Sequence, residues 1–311
     1  MVLKISLMLL SFYFIFFHIS QQEVLEKLEL LSDKLGSEKE TRISIYTVVA
    51  LMSVNWFCES IKWKWLTSLF YRQTLFASAR AVLTGLAVSF FTPNRSGDFA
   101  GRIMLLPSTH RVEGAVFSIV GSLAQMLITI TAGTLATISV MGQLFKLSVP
   151  VVSVISIIAL IIVVFFHYLF FNVRKYRNFK TKISLFKKLL SKTADVEKLT
   201  FVFLLKIYMV SFLRYAVFTF QFCILLKTFD VNISWHLVAT LVMVSFLLLS
   251  VIPSFALTEI GVRGSVCIFL FSKFTPEISG VLIASTTLWI INVVSPAIAG
   301  AFGMLYFKWN K

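Results

Sequence analysis

Residues 147–171 contain no Asp, Glu, Lys or Arg. A helical run this long and this apolar matches the hydrocarbon thickness of a bilayer, which needs about 20 residues. Further apolar runs occur at 5–19, 43–58, 114–141, 199–226, 236–252, 254–271 and 279–307. The chain is 58% hydrophobic and only 14% charged, against roughly 25% charged in soluble domains. The short alternating segments of a membrane β-barrel are not evident. The expected fold is therefore all-α and polytopic, an integral membrane protein with about six to eight transmembrane helices. Within the 311 residues no hydrophilic stretch is long enough for a separate soluble catalytic domain, so one membrane domain over 1–311 is expected.

Charge sets the expected topology. The net charge is +15, and the basic residues gather between apolar runs. That pattern points to loop orientation and anionic-lipid contact rather than to nucleic acid. Residues 173–198 hold nine Lys or Arg and two acids, which puts this loop in the cytoplasm. Residues 21–42 are acid-rich and read as a surface helix on the opposite side. The first run, 5–19, ends without the small-residue site of a cleavable signal peptide and reads as a retained anchor. The mix of Trp and Lys over 55–65 reads as a cytoplasmic interfacial belt. Both termini then fall in the cytoplasm of a multi-pass protein of the cell membrane. The last run carries Asn292 and Pro296, so a kink is expected there.

Two polar inserts interrupt this scheme. Thr92-Pro93-Asn94-Arg95-Ser96-Gly97-Asp98 follows one apolar run and leads to Arg102. Pro253 follows another and leads to Glu259 and Arg263. Each insert has a Pro, then an acid, then an Arg four positions after the acid. A full crossing by 77–91 would put the basic loop outside. A re-entrant hairpin over 77–106 keeps it inside, so re-entry is the expected arrangement. Residues 236–271 are either two spans or a second re-entrant pair. The chain thus divides into a first half, 1–172, the basic loop 173–198, and a second half, 199–311, with its own motif at 253–264. The two prolines lie 160 positions apart, which leaves an inverted repeat open.

Ionisable residues among apolar runs are the candidates for function. Arg95, Asp98 and Arg102 form one group, and Glu259 and Arg263 the other. Two readings stand side by side. The acid–Arg pairs are i,i+4 bridges that hold a broken helix together, or the arginines are forks for a phosphate. Arg214 sits deep in its apolar run and joins the candidates, whereas Lys206 can snorkel to an interface. Gln125 and Thr129 lie one turn apart and either pack helices or line a polar cavity. The acids could also carry a proton that drives transport. His18, His110, His167 and His236 are isolated, and the three cysteines form no pair at ligand spacing. No nucleotide-binding glycine loop occurs, so neither a metal nor a cofactor is expected, and no catalytic residue is assigned.

At the two inserts the chain resembles a known family. Thr92-Pro93-x-Arg95-x-Gly97-Asp98 is similar to the TP-x-R-x-G-[DE] segment of the flippase-like, lysylphosphatidylglycerol-synthase transmembrane-region family, and Gly261-Val262-Arg263 to its late G-[VL]-R segment. The resemblance covers most of the chain. It implies a membrane domain with re-entrant helices and an activity of moving lipids across the bilayer. The family's better-understood members move aminoacylated phosphatidylglycerol and carry a soluble synthase domain that has no counterpart in 1–311. Many members place a Glu after the late Arg, where this chain has Gly264 and instead carries Glu259 before the Arg.

The leading expectation is thus a lipid translocase for a phospholipid, an aminoacyl-phospholipid or a polyprenyl-phosphate carrier. Arg95, Asp98, Arg102, Gln125, Arg214, Glu259 and Arg263 form its substrate site. The alternatives are a non-transporting scaffold for envelope-synthesis enzymes and a membrane-embedded lipid transferase.

Overall fold

A computed structural model of the chain describes residues 22–90, 92, 97–178, 194–252 and 256–305. The first apolar run, Pro93, Arg95, most of the basic loop and Pro253 lie outside the described residues. Among those described, every regular element is a helix. In chain order these are α1 (Gln22–Ser37), α2 (Lys39–Thr67), α3 (Leu75–Ser89), α4 (Gly97–Met104), α5 (Arg111–Phe145) and α6 (Val149–Phe171). After the basic loop come α7 (Phe201–Thr228), α8 (Trp235–Val251), α9 (Ala256–Phe271), α10 (Ile278–Trp289) and α11 (Ser295–Leu305).

Five helical stretches are long and apolar enough to cross a membrane: α2, α5 with its leading turn, α6, α7, and the continuous run of α10 into α11. The protein is an all-α polytopic membrane protein. Helices α3 and α8 are shorter, at 15 and 17 residues. A 15-residue helix rises only about 22 Å, short of the roughly 30 Å hydrocarbon core.

The helix ends follow local chemistry. The Thr74, Thr200 and Ser234 hydroxyls cap α3, α7 and α8 by accepting from the amides of Ala77, Phe203 and Leu237. The last span does not break at Pro296. Instead a π-turn, Ile290–Val294, separates α10 from α11. Pro296 has no N–H to return to the carbonyl one turn back, and a wide turn just before it absorbs that mismatch.

Helices α2 and α7 pack along each other at the centre of the molecule. One core, from Phe222, Leu226, Leu241, Cys267 and Leu288, joins α7, α8, α9 and α10. A second, from Trp63, Leu66, Val82, Phe117 and Ile207, joins α2, α3, α5 and α7. The hairpin of α3 and α4 is wedged among α2, α5 and α11. Its two arms meet through glycine: a Cβ on Gly101 would lie 2.6 Å from Gly85 Cα. On the other side, a Cβ on Gly300 of α11 would meet the Leu83 carbonyl at 2.0 Å. Backbones this close leave no room for a side chain.

One expectation is overturned. Residues 55–65 are not an interfacial belt but the C-terminal part of α2, packed inside the protein. Asn55, Glu59, Lys62 and Trp63 are buried inside the bundle, Glu59 at 3% and Lys62 at 2% exposure. Within 55–65 only Phe57 and Lys64 are exposed, while Trp56, Ile61 and Trp65 are half-buried. The charged groups are held by partners from distant parts of the chain, and composition alone carries no sign of those partners.

Candidate functional site

A cavity of about 380 Å3 opens between α5, α7, α8 and α9. Arg214, Glu259, Arg263 and Gln125 form its charged and polar wall. Phe218, Phe246, Leu249 and Ile252 form an apolar one. Phe246 is fixed by ring contacts with Tyr215, Phe218 and Phe222, at centroid distances of 6.0, 5.5 and 6.0 Å. The spacing Glu259 to Arg263 is one turn of α9, and their side chains meet as an i,i+4 pair at 3.0 Å. Arg263 Nε is buried with no hydrogen-bond partner among the described residues, and so is Gln125 Oε1. A buried unpaired donor or acceptor costs free energy unless a ligand or water satisfies it.

Behind the cavity lies a charge cluster. Arg214 donates from Nε to Asn55 Oδ1 at 2.6 Å and from one terminal nitrogen to Glu59 Oε2 at 2.7 Å. Lys62 reaches the same oxygen at 2.7 Å. The other oxygen, Glu59 Oε1, accepts from Arg102 at 2.6 Å. Arg102 also grips Asp98 with two bonds, 3.1 and 2.5 Å. Trp56 and Trp63 lie against the guanidinium groups of Arg214 and Arg102, with centroids 5.1 and 5.8 Å away. Glu59 thus joins α2, α4 and α7 through a single carboxylate.

Of the residues selected from sequence, Gln125, Arg214, Glu259 and Arg263 line one cavity. Asp98 and Arg102 do not. They form the expected i,i+4 bridge, and among the described residues Arg102 connects to the cavity through Glu59 and Arg214. Arg95 lies outside the described residues. Thr129 shares the cavity wall with Gln125. Lys206 lies over the Trp65 ring at 5.0 Å, as a snorkelling lysine can.

Sequence reading missed Asn55, Glu59 and Lys62. A signal for them exists: positions 55, 59 and 62 follow the i, i+4, i+7 spacing of one helix face, which sets an Asn, a Glu and a Lys in line at the end of an apolar run. Among the described residues no group of three His, Cys, Asp or Glu could hold a metal ion.

The sequence matches the lysylphosphatidylglycerol synthase TM region over residues 1–303. The chain belongs to this family. The match spans α2, both polar inserts and the cavity. Membership in the lysylphosphatidylglycerol synthase TM-region family marks it as a multi-pass membrane domain related to lipid handling. No curated protein is significantly similar to the chain.

Proposed function

We propose that this chain is a lipid translocase of the cell membrane, moving a lipid whose headgroup carries an anionic phosphate. The observation that carries this reading is a single cavity with two guanidinium groups on one wall and aromatic and aliphatic side chains on the other. Arginine presents a planar fork that fits phosphate oxygens, and burial strengthens such charge-assisted bonds. The free Nε of Arg263 supplies an unused donor. The apolar wall suits the glycerol and first methylenes of a lipid tail. Ligand cavities typically span about 300–1,000 Å3, and this one falls in the range of a headgroup.

The α3–α4 hairpin supports the same reading. Its arms are too short to cross, the first polar insert lies between them in the sequence, and the hairpin packs against α2, α5 and α11. Such a segment is tolerated at membrane depth when buried in protein or lining a wet cavity, which fits a re-entrant hairpin. The basic 173–198 loop and both termini are then cytoplasmic by the same charge rule.

The test is headgroup movement in liposomes containing the purified protein. Labelled phosphatidylglycerol, its aminoacylated form and a polyprenyl phosphate are compared, each beside Arg214→Ala and Arg263→Ala. Movement of at least one lipid, abolished in folded Arg214→Ala protein, is the expected result. Movement that survives both substitutions would remove the cavity from the mechanism. No movement of any lipid by folded wild-type protein would count against the translocase.

A further inference from the structure

The headgroup reading leaves Glu59 without a role, although it is the most heavily engaged side chain near the cavity. It does not line the cavity. It holds Arg214, which does, and Arg102, which belongs to the hairpin. We propose that Glu59 is the positioning residue of the headgroup site: it sets the guanidinium of Arg214 toward an anionic headgroup and links that headgroup's arrival to α4 through Arg102. This inference rests on the proposed function of the cavity.

The geometry argues for it in three steps. First, Arg214 is clamped on one side. Asn55 takes its Nε and Glu59 takes one terminal nitrogen. The Trp56 ring lies against the same guanidinium. What remains for the cavity is one edge of the fork, in one orientation. An arginine on an unclamped stem spreads over many rotamers, and a ligand must then select one.

Second, the charges in and behind the cavity do not balance. Lys62, Arg102, Arg214 and Arg263 are four cations, and Glu59, Asp98 and Glu259 are three anions. An added negative charge is therefore favoured beside Arg214, which faces open space.

Third, Glu59 divides its two oxygens between different helices. Oε2 holds Arg214 of α7 and Lys62 of its own helix, while Oε1 holds Arg102 of α4. A phosphate oxygen at Arg214 competes with Oε2 for the same cation. As that bond weakens, the carboxylate's charge is left to Lys62 and Arg102, and its hold on α4 strengthens. The two sites then share a coupling free energy, reciprocal by necessity.

The test uses the full chain, with phosphatidylglycerol in neutral mixed micelles for direct binding and in liposomes for movement. Glu59→Asp keeps the charge but shortens the reach by one methylene, so it can no longer hold both arginines. The expected result is a melting temperature close to wild type and a half-saturating lipid concentration raised about tenfold, the scale of a modestly misplaced polar group. Arg102→Gln, which lies off the cavity, should weaken binding in the wild-type background and add nothing further in Glu59→Asp. Should Glu59→Asp fold poorly, Asn55→Ala removes the other clamp on Arg214 without touching charge and should also weaken binding. Normal binding in folded Glu59→Asp or Asn55→Ala, with Arg214→Ala still defective, would overturn the positioning role alone. So would effects of Arg102→Gln and Glu59→Asp that multiply independently. Normal binding in Arg214→Ala would instead overturn the cavity reading, and this inference with it.

Discussion

Asp98–Arg102 and Glu259–Arg263 share one spacing and make the same kind of one-turn bridge. Their surroundings differ. Arg102 is 6% exposed and divides its donors between Asp98 and the buried Glu59. Arg263 sits on a cavity wall and keeps an unpartnered Nε. The first pair is absorbed into the packing of α2, α4 and α7, whereas the second has bonding capacity to spare. A local motif thus settles which side chains meet. The neighbours brought by the fold decide whether the pair is structural or open to a ligand.

The contrast can be broken by substitution, and the largest effect is expected at the closed end. Glu59→Ala leaves two buried cations, Lys62 and Arg102, and the half-buried Arg214 around a vacated carboxylate, and should cost roughly 3–5 kcal/mol of stability, read as a lowered melting temperature. Equal stability of this variant and wild type would dissolve the distinction between the two regions. Arg214→Ala, at the boundary, should lose roughly 2–5 kcal/mol of phosphate-headgroup binding, measured in mixed micelles. Gly101→Ala probes the seam behind Arg102. Its methyl would meet the Gly85 backbone at 2.6 Å, and a loss of roughly 1–3 kcal/mol is expected on thermal unfolding.

At the open end, Arg263→Lys keeps the charge but gives up the fork. It should weaken phosphate binding by about 1 kcal/mol with little change in melting. The smallest effect is expected far from both regions, at the bridge from Lys34 to Asp230, whose carboxylate is 71% exposed. Lys34→Ala should change stability by no more than about 1 kcal/mol, since water screens such a pair.

Much of the architecture was legible because the bilayer imposes a simple rule on long apolar runs. The expected spans at 114–141, 147–171 and 199–226 reappear as α5, α6 and α7 with ends shifted by a few residues. The acid–Arg bridges were legible because four residues is one helical turn. Burial of 55–65 was not. Trp and Lys near the end of an apolar run fit an interface equally well, and the deciding partners, Arg102 and Arg214, lie 43 and 155 positions away. The wide turn before Pro296 was only half legible: proline announces a disturbance, but its form depends on what packs around it. That Gln125, Arg214, Glu259 and Arg263 share one cavity follows from how α5, α7 and α9 are arranged, which no single segment encodes.

The reach of Glu59 also orders events while the chain is being made. Its carboxylate enters with α2, when only Lys62, three residues on, is available to neutralise it. Arg102 follows with the hairpin, and Arg214 arrives only with α7. During the interval α2 is a span of marginal hydropathy holding an incompletely matched acid, best kept near the insertion machinery or a wet surface. Final seating of the first half is therefore a late step that waits for the second. A nascent chain halted before α7 should hold α2 loosely, and extending it through Arg214 should lock the helix in place.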